Sequence, residues 1–359
     1  MRKGGRRALS GAMGVVALSS ASAVCAQSNI TLYGILDTGL LYTSKTSSAT
    51  TGQNAGKQMS MIGAGLTPSV FGVTGTEDLG GGLKLKFKLE SGFSLASGGF
   101  ADCNGNFFGC EAWLALDGKY GTVKAGLQYS PFLLALYETD PRSFSLFGSG
   151  IVSMVDNVFG TGIYNSNAVS YTTPVVAGLQ ASAMVALGGV AGNFSAGRQY
   201  SASLKYRLGG FSIAAAIYDG NSGGNVQAPV PTTLQYEGRM VGMSYKFGLV
   251  DAKLSFANYK VAGSFDNNVY GAGFDYLVMP TLSLDAGVYV TSDRNHTANH
   301  SLMGALGAQY YLSKRTTLYA QFGAVNNHGA MNSGISMNGA LFGTSGTTMG
   351  AVLGIRHSF

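Results

Sequence analysis

Charge is scarce in this sequence: only 11% of its 359 residues are Asp, Glu, Lys or Arg, less than half the usual share. A soluble sandwich shows a charged face to water and normally needs far more. Pro is scarce too, at 7 residues, and the Gly residues have no period of three, so collagen is excluded. No apolar run approaches ~20 residues, which excludes a bundle of membrane helices. There are 4 His, 3 Cys and a single Trp. What is abundant is Gly, with 54 residues, and the aromatic pair Tyr and Phe, with 19 each. High aromatic content with low charge argues against disorder.

The first 26 residues read as a secretory signal. Arg2, Lys3, Arg6 and Arg7 form a basic start, an apolar stretch follows from Ala8 to Leu18, and Val24-Cys25-Ala26 puts small residues at −3 and −1 of a cleavage after Ala26. Val24 is the wrong residue before a lipoprotein Cys25. The expected mature domain is 27–359. Removing those four cations from 23 leaves 19 against 17 acidic residues, a net of +2. The high pI is therefore largely an export signal, and no nucleic-acid partner is expected. Cys103 and Cys110 remain, in a polar Gly-rich tip, and in an exported chain they are expected to form a disulfide. No His is near them in sequence, so no metal site is expected there.

The strongest signal has a period of two. In Leu83-Lys84-Leu85-Lys86-Phe87-Lys88-Leu89-Glu90 the apolar and charged residues fall on opposite faces of a strand. The pattern recurs from Tyr200 to Leu208, around Leu254, from Leu282 to Val288, and from Leu353 to Phe359. Sixteen strands are expected: 30–43, 69–77, 83–95, 111–117, 121–131, 167–173, 178–187, 199–207, 211–218, 237–247, 251–260, 269–278, 281–291, 301–312, 316–326 and 347–359. Short connections alternate with longer polar or Gly-rich ones at 44–66, 96–110, 132–166, 188–198, 219–236, 261–268, 292–300 and 327–346.

An even number of antiparallel strands with short turns at one end and long loops at the other predicts an all-β transmembrane barrel. Only a closed sheet satisfies its backbone in lipid. Tyr33, Tyr42, Tyr129, Tyr206, Tyr276 and Phe359 lie near strand ends, as aromatic girdles would. Sixteen strands leave an aqueous channel, so a water-filled pore in a Gram-negative outer membrane is expected.

Six segments then carry a resemblance. Ile30–Asp37, Phe71–Leu83, Leu89–Phe93, Gly121–Tyr129, Leu312–Tyr319 and Gly354–Phe359 together resemble trimeric general porins of Gram-negative outer membranes, of the beta-proteobacterial type. The resemblance implies a homotrimer, a terminal Phe recognised for insertion, a second long loop near the subunit contact, and a third long loop folded into the bore. That third loop, 132–166, carries Glu138, Asp140, Arg142 and Asp156 as constriction candidates. Wall candidates facing them are Lys84, Lys86, Lys88, Lys124, Lys205, Arg207, Lys246, Lys253 and Arg356. The family usually has basic residues where this chain has Val70, Thr74 and Leu127, so weak ion selectivity is expected.

The expected activity is passive diffusion of ions and small hydrophilic solutes, with no reaction and no cofactor. Gly220-Asn-Ser222-Gly-Gly224 fits a nucleophile pattern, but it lacks a strand-to-helix elbow and partners, and reads as a flexible loop. The alternative is a substrate-specific outer-membrane channel, whose bore would carry an aromatic track. Inward Tyr218, Tyr259, Tyr289, Tyr311 and Tyr319 are the candidates for it.

Overall fold

The computed structural model describes residues 29–101, 103–158, 162–224 and 229–359, so the expected signal segment lies outside the described residues. In chain order the strands are β1 (Asn29–Thr43), β2 (Gln58–Ile62), β3 (Ser69–Gly80), β4 (Leu83–Phe93), β5 (Glu111–Gly118), β6 (Gly121–Gln128), β7 (Asn165–Thr172), β8 (Leu179–Ala186), β9 (Gln199–Leu208) and β10 (Phe211–Gly224). They continue as β11 (Pro229–Phe247), β12 (Val250–Val261), β13 (Asp266–Met279), β14 (Leu282–Asp293), β15 (His300–Tyr311), β16 (Thr316–His328), β17 (Ser333–Ser336), β18 (Ala340–Phe342) and β19 (Gly346–Ser358). Two helices, α1 (Pro131–Thr139) and α2 (Gly150–Val158), lie between β6 and β7.

Sixteen of these strands form a closed antiparallel barrel, each paired with its neighbours in the chain. β1 closes the ring by pairing with β3 along Asn29–Ile35 and with β19 along Ile35–Thr43. Backbone bonds between Gly34 and Phe359, in both directions, extend that seam. Closure leaves no unpaired edge for lipid to meet.

Each strand is two-faced. At the β1–β19 seam, Leu40 opposite Leu353 is 53% and 64% exposed, whereas the next pair, Leu41 and Val352, is 1% and 0% exposed. Leu114, Leu204, Leu306 and Phe322 belong to the same exposed outer face. So much uncovered apolar surface in a regular band requires an apolar solvent. The short turn after β3 uses Gly80, Gly81 and Gly82 at φ of 85°, 62° and 80°, a conformation that side chains resist.

Several features depart from the sequence reading. β2 lies inside the first long loop and pairs with the far half of β1. The last long loop forms the β17–β18 hairpin. It is tied to the loop after β6 by Gly148 N–H to Ile335 O at 2.7 Å and Met337 N–H to Leu146 O at 2.8 Å. β10 and β11 run on through most of the expected loop 219–236, so Gly220–Gly224 ends a strand rather than lying in a loop. Two of the expected girdle aromatics are elsewhere. Tyr33 turns to the inner face, where its hydroxyl donates to Glu90 at 2.7 Å, and Tyr129 packs against Tyr164 of the third loop. Tyr42 and Tyr276 are exposed among the outer-face aromatics.

Candidate functional site

The chain leaves β6 at Gln128 and turns into the barrel. Ser130 caps α1 by accepting the Leu133 N–H, and Pro131 supplies a fixed φ in the first turn. Phe132, at the start of α1, packs between Tyr218 and Tyr259 of the wall at ring distances of 6.3 Å each. The wall makes room for this loop with inward glycines. A Cβ on Gly238 would meet the Phe132 ring at 2.6 Å, one on Gly287 would meet Arg142 at 2.7 Å, and one on Gly350 would meet Phe147 at 3.0 Å. Gly242 faces Thr139 just as closely. The glycine excess therefore serves, in part, as a seam across β11, β14 and β19 in which the loop lies. Gly238→Val is expected to displace Phe132, lower heat stability by about 1–3 kcal/mol, and raise single-channel conductance; unchanged conductance and stability would show that α1 does not depend on this contact.

Four wall tyrosines form the bed of the loop. Tyr218, Tyr259, Tyr289 and Tyr319 all point inward and are at most 4% exposed. They do not form an open aromatic track along the bore. Tyr311 also points inward, nearer the short-turn end.

Two of the loop's charges are internal to the joint between loop and wall. Arg142 is 4% exposed and donates from all three nitrogens: Nε to Asp285 at 2.6 Å, Nη2 to Gln321 at 2.9 Å, and Nη1 to Phe147 O at 2.6 Å and Gly148 O at 3.2 Å. Asp140 accepts the N–H groups of Arg142, Phe144 and Gly150, each at 2.9 Å, and the Tyr289 hydroxyl at 3.0 Å. Burial pushes the Asp140 carboxyl above the usual carboxylate range, against these bonds, which favour its charged form. Gln321 also takes the Ser145 hydroxyl at 2.6 Å and donates to Gly65 O at 2.9 Å. Beside it, Asp37 gathers the N–H groups of Gly65, Leu66 and Thr67 and the Tyr319 hydroxyl. The first and third loops are thus fastened to one polar network on β1, β14 and β16.

Glu138 is the loop charge that meets wall cations, with Lys205 at 2.5 Å and Arg207 at 2.9 Å. Lys253 reaches the loop as well, donating to Ser143 at 3.0 Å. The Asp156 side chain lies outside the described residues. On the opposite wall, Lys86 pairs with Asp117 at 2.6 Å, and Lys88 with Glu111 at 2.6 Å and Glu90 at 3.0 Å. Lys124 stands 4.6 Å from the Trp113 ring, whose N–H donates to Glu111. Lys84, Lys246 and Arg356 share the inward alternation, and with Lys124 they make no ion pair among the described residues.

Sequence reasoning passed over Asp37, Glu90, Glu111, Asp117, Asp285 and Gln321. The period of two places Glu90 and Asp285 on the polar face of their segments and says nothing of the other four. Their pairing depends on neighbours across strands, which no single segment displays. Val70 is buried, Thr74 bonds to Phe87 O at 2.9 Å, and Leu127 packs on the loop's apolar core. None of the three carries charge to the lumen.

The Gram-negative porin family matches residues 12–330. The chain is 29% identical to an outer membrane porin protein of Bordetella pertussis, covering 94% of this chain and 96% of that one. It is 28% identical to outer membrane porin protein 32 of Delftia acidovorans, covering 95% and 97%. Among solved structures, the anion-selective porin from Comamonas acidovorans superposes with a TM-score of 0.79 at 25% identity, over 93% of this chain and all of that one. A closed barrel with a lipid-facing band and a polar interior, set beside these relatives, is an outer-membrane channel for passive diffusion. The chain belongs to the Gram-negative porin family.

Proposed function

We propose that this channel passes ions and small hydrophilic solutes with weak charge selectivity, through the space between the third loop and the wall of β3–β7. The observation that carries this reading is neutralisation. Lys86, Lys88, Lys205 and Arg207 each have an acidic partner within 4 Å. Glu138, with those two cations of β9, is the charged point of the constriction. Asp140 and Arg142 act there indirectly, by holding the loop. Lys84, Lys124, Lys246 and Arg356 outnumber the inner-face acids Asp251 and Asp275, which share the register of Lys246 and Asp285, and leave a mild excess of positive potential, in keeping with the anion selectivity named for the Comamonas relative. Reversal potentials in a tenfold KCl gradient test this. The expected anion-to-cation permeability ratio is between one and roughly three; near-ideal selectivity for either sign would overturn it.

The mature polypeptide in this reading is 27–359, released by cleavage after Ala26, and it assembles as a homotrimer in outer-membrane lipid. Cys103 and Cys110 form the disulfide, buried at 2% and 1% exposure. Their loop lays Phe107 against Phe71 on the barrel's outer face at 6.1 Å. We infer that the bridge stiffens a subunit contact. Cys103→Ser is expected to lower trimer heat stability by about 2.5 kcal/mol per subunit, the chain-entropy value for so short a loop. An unchanged trimer melting temperature would place the loop away from the contact.

A further inference from the structure

We propose that the third loop carries, on its lumen side, a binding pocket for a small uncharged aromatic solute. This deepens the channel reading and rests on it. A cavity of about 530 Å³ lies between the third loop and the β17–β18 hairpin, above Thr67 and Pro68. Its size suits a substituted ring, and pockets of that volume with mainly apolar walls are the usual form of small-molecule sites. No lining residue carries a charge, so an ion entering it would lose water without gaining a partner.

The walls are arranged for rings. Tyr129 and Tyr164 are 5.9 Å apart at 51°, and Tyr137 meets Phe144 edge-on, also at 5.9 Å. Such tilted and edge-on pairs present both faces and edges to a flat guest. Leu134, Tyr137 and Phe342 are 40%, 52% and 43% exposed. On the outer face of the barrel such surface is covered by lipid. Inside, water alone meets it, and a ring that displaces this water is favoured. The sequence suggested aromatic recognition on the wall tyrosines; the open aromatic surface is on the loop instead.

The test uses single channels of the full-length mature protein in planar bilayers, with benzyl alcohol as probe and glycerol as control. The expected result is brief current interruptions with benzyl alcohol and none with glycerol. In Leu134→Ser/Tyr137→Ser, and separately in Phe342→Ser, conductance should persist while the half-blocking concentration rises roughly tenfold. Equal block in wild type and both variants, block by glycerol as well, or an open channel that benzyl alcohol never interrupts would each overturn the pocket while leaving the channel standing. Absence of conductance in the wild type would overturn the channel reading and the pocket with it.

Discussion

Replacing Arg142 by alanine is expected to free the third loop while the barrel stays closed. The guanidinium is buried and joins the loop to β14 and β16 through Asp285 and Gln321. Its removal leaves the Asp285 carboxylate, itself 8% exposed, without its cation. Breaking a buried pair from one side costs about 3–5 kcal/mol. The barrel strands do not depend on this contact, since each strand from β3 to β16 pairs with both of its neighbours through the backbone. The expected readings are a lower unfolding temperature, and a single-channel conductance that is larger and noisier than wild type. Arg142→Met combined with Asp285→Asn removes both charges and should recover part of the loss, which a double-mutant cycle measures. A quiet channel of wild-type conductance in Arg142→Ala would mean that the loop is held by its apolar contacts alone.

Glu138→Gln should change selectivity rather than architecture. Glu138 is the partner of both Lys205 and Arg207, and its pairs are partly open to solvent. Exposed pairs of this kind add little to stability, so the melting temperature should stay close to wild type. Without the carboxylate, two cations face the passage unbalanced. The anion-to-cation permeability ratio should rise by roughly twofold to fivefold at low salt, and the change should shrink as salt screens the field. A reversal potential identical to wild type at every salt concentration would remove Glu138 from the ion path.

Much of the barrel could be read from the chain because one rule, alternation, governs every spanning segment. Leu83–Glu90 alone separates an apolar stripe from a charged one, and in the structure the even-numbered residues of that run face inward. The loops obey no such rule. Nothing local to Gln58–Ile62 announces that it pairs with β1, and nothing in Ser333–Phe342 announces a hairpin bonded to the third loop. Charge in the lumen was half legible. The lysines of β4 stand out in sequence, whereas Asp117 and Glu111, which neutralise two of them, belong to the next strand. Asp140 and Arg142 looked like lumen charges because acids and bases in a constricting loop often are. Only the packing of that loop against Tyr289, Asp285 and Gln321 shows that both are interior. The abundance of glycine is plain in the sequence, but the positions of Gly238, Gly287 and Gly350 opposite Phe132, Arg142 and Phe147 required the fold.

The central claim is that one face of each strand points into the barrel, to the aqueous path or the third loop, and the other points to lipid. Lys86 and Leu114 test it directly, since they lie at nearly the same height on adjacent strands, Phe87 being the register partner of Leu114 and Ala115 that of Lys86. Each is replaced singly by cysteine, and a membrane-impermeant charged thiol reagent is added while single channels conduct. Lys86→Cys is expected to react and change the current in a step; Leu114→Cys is expected to stay unmodified with its current unaltered. Reaction at Leu114→Cys, or a protected Lys86→Cys in a conducting channel, would contradict the account.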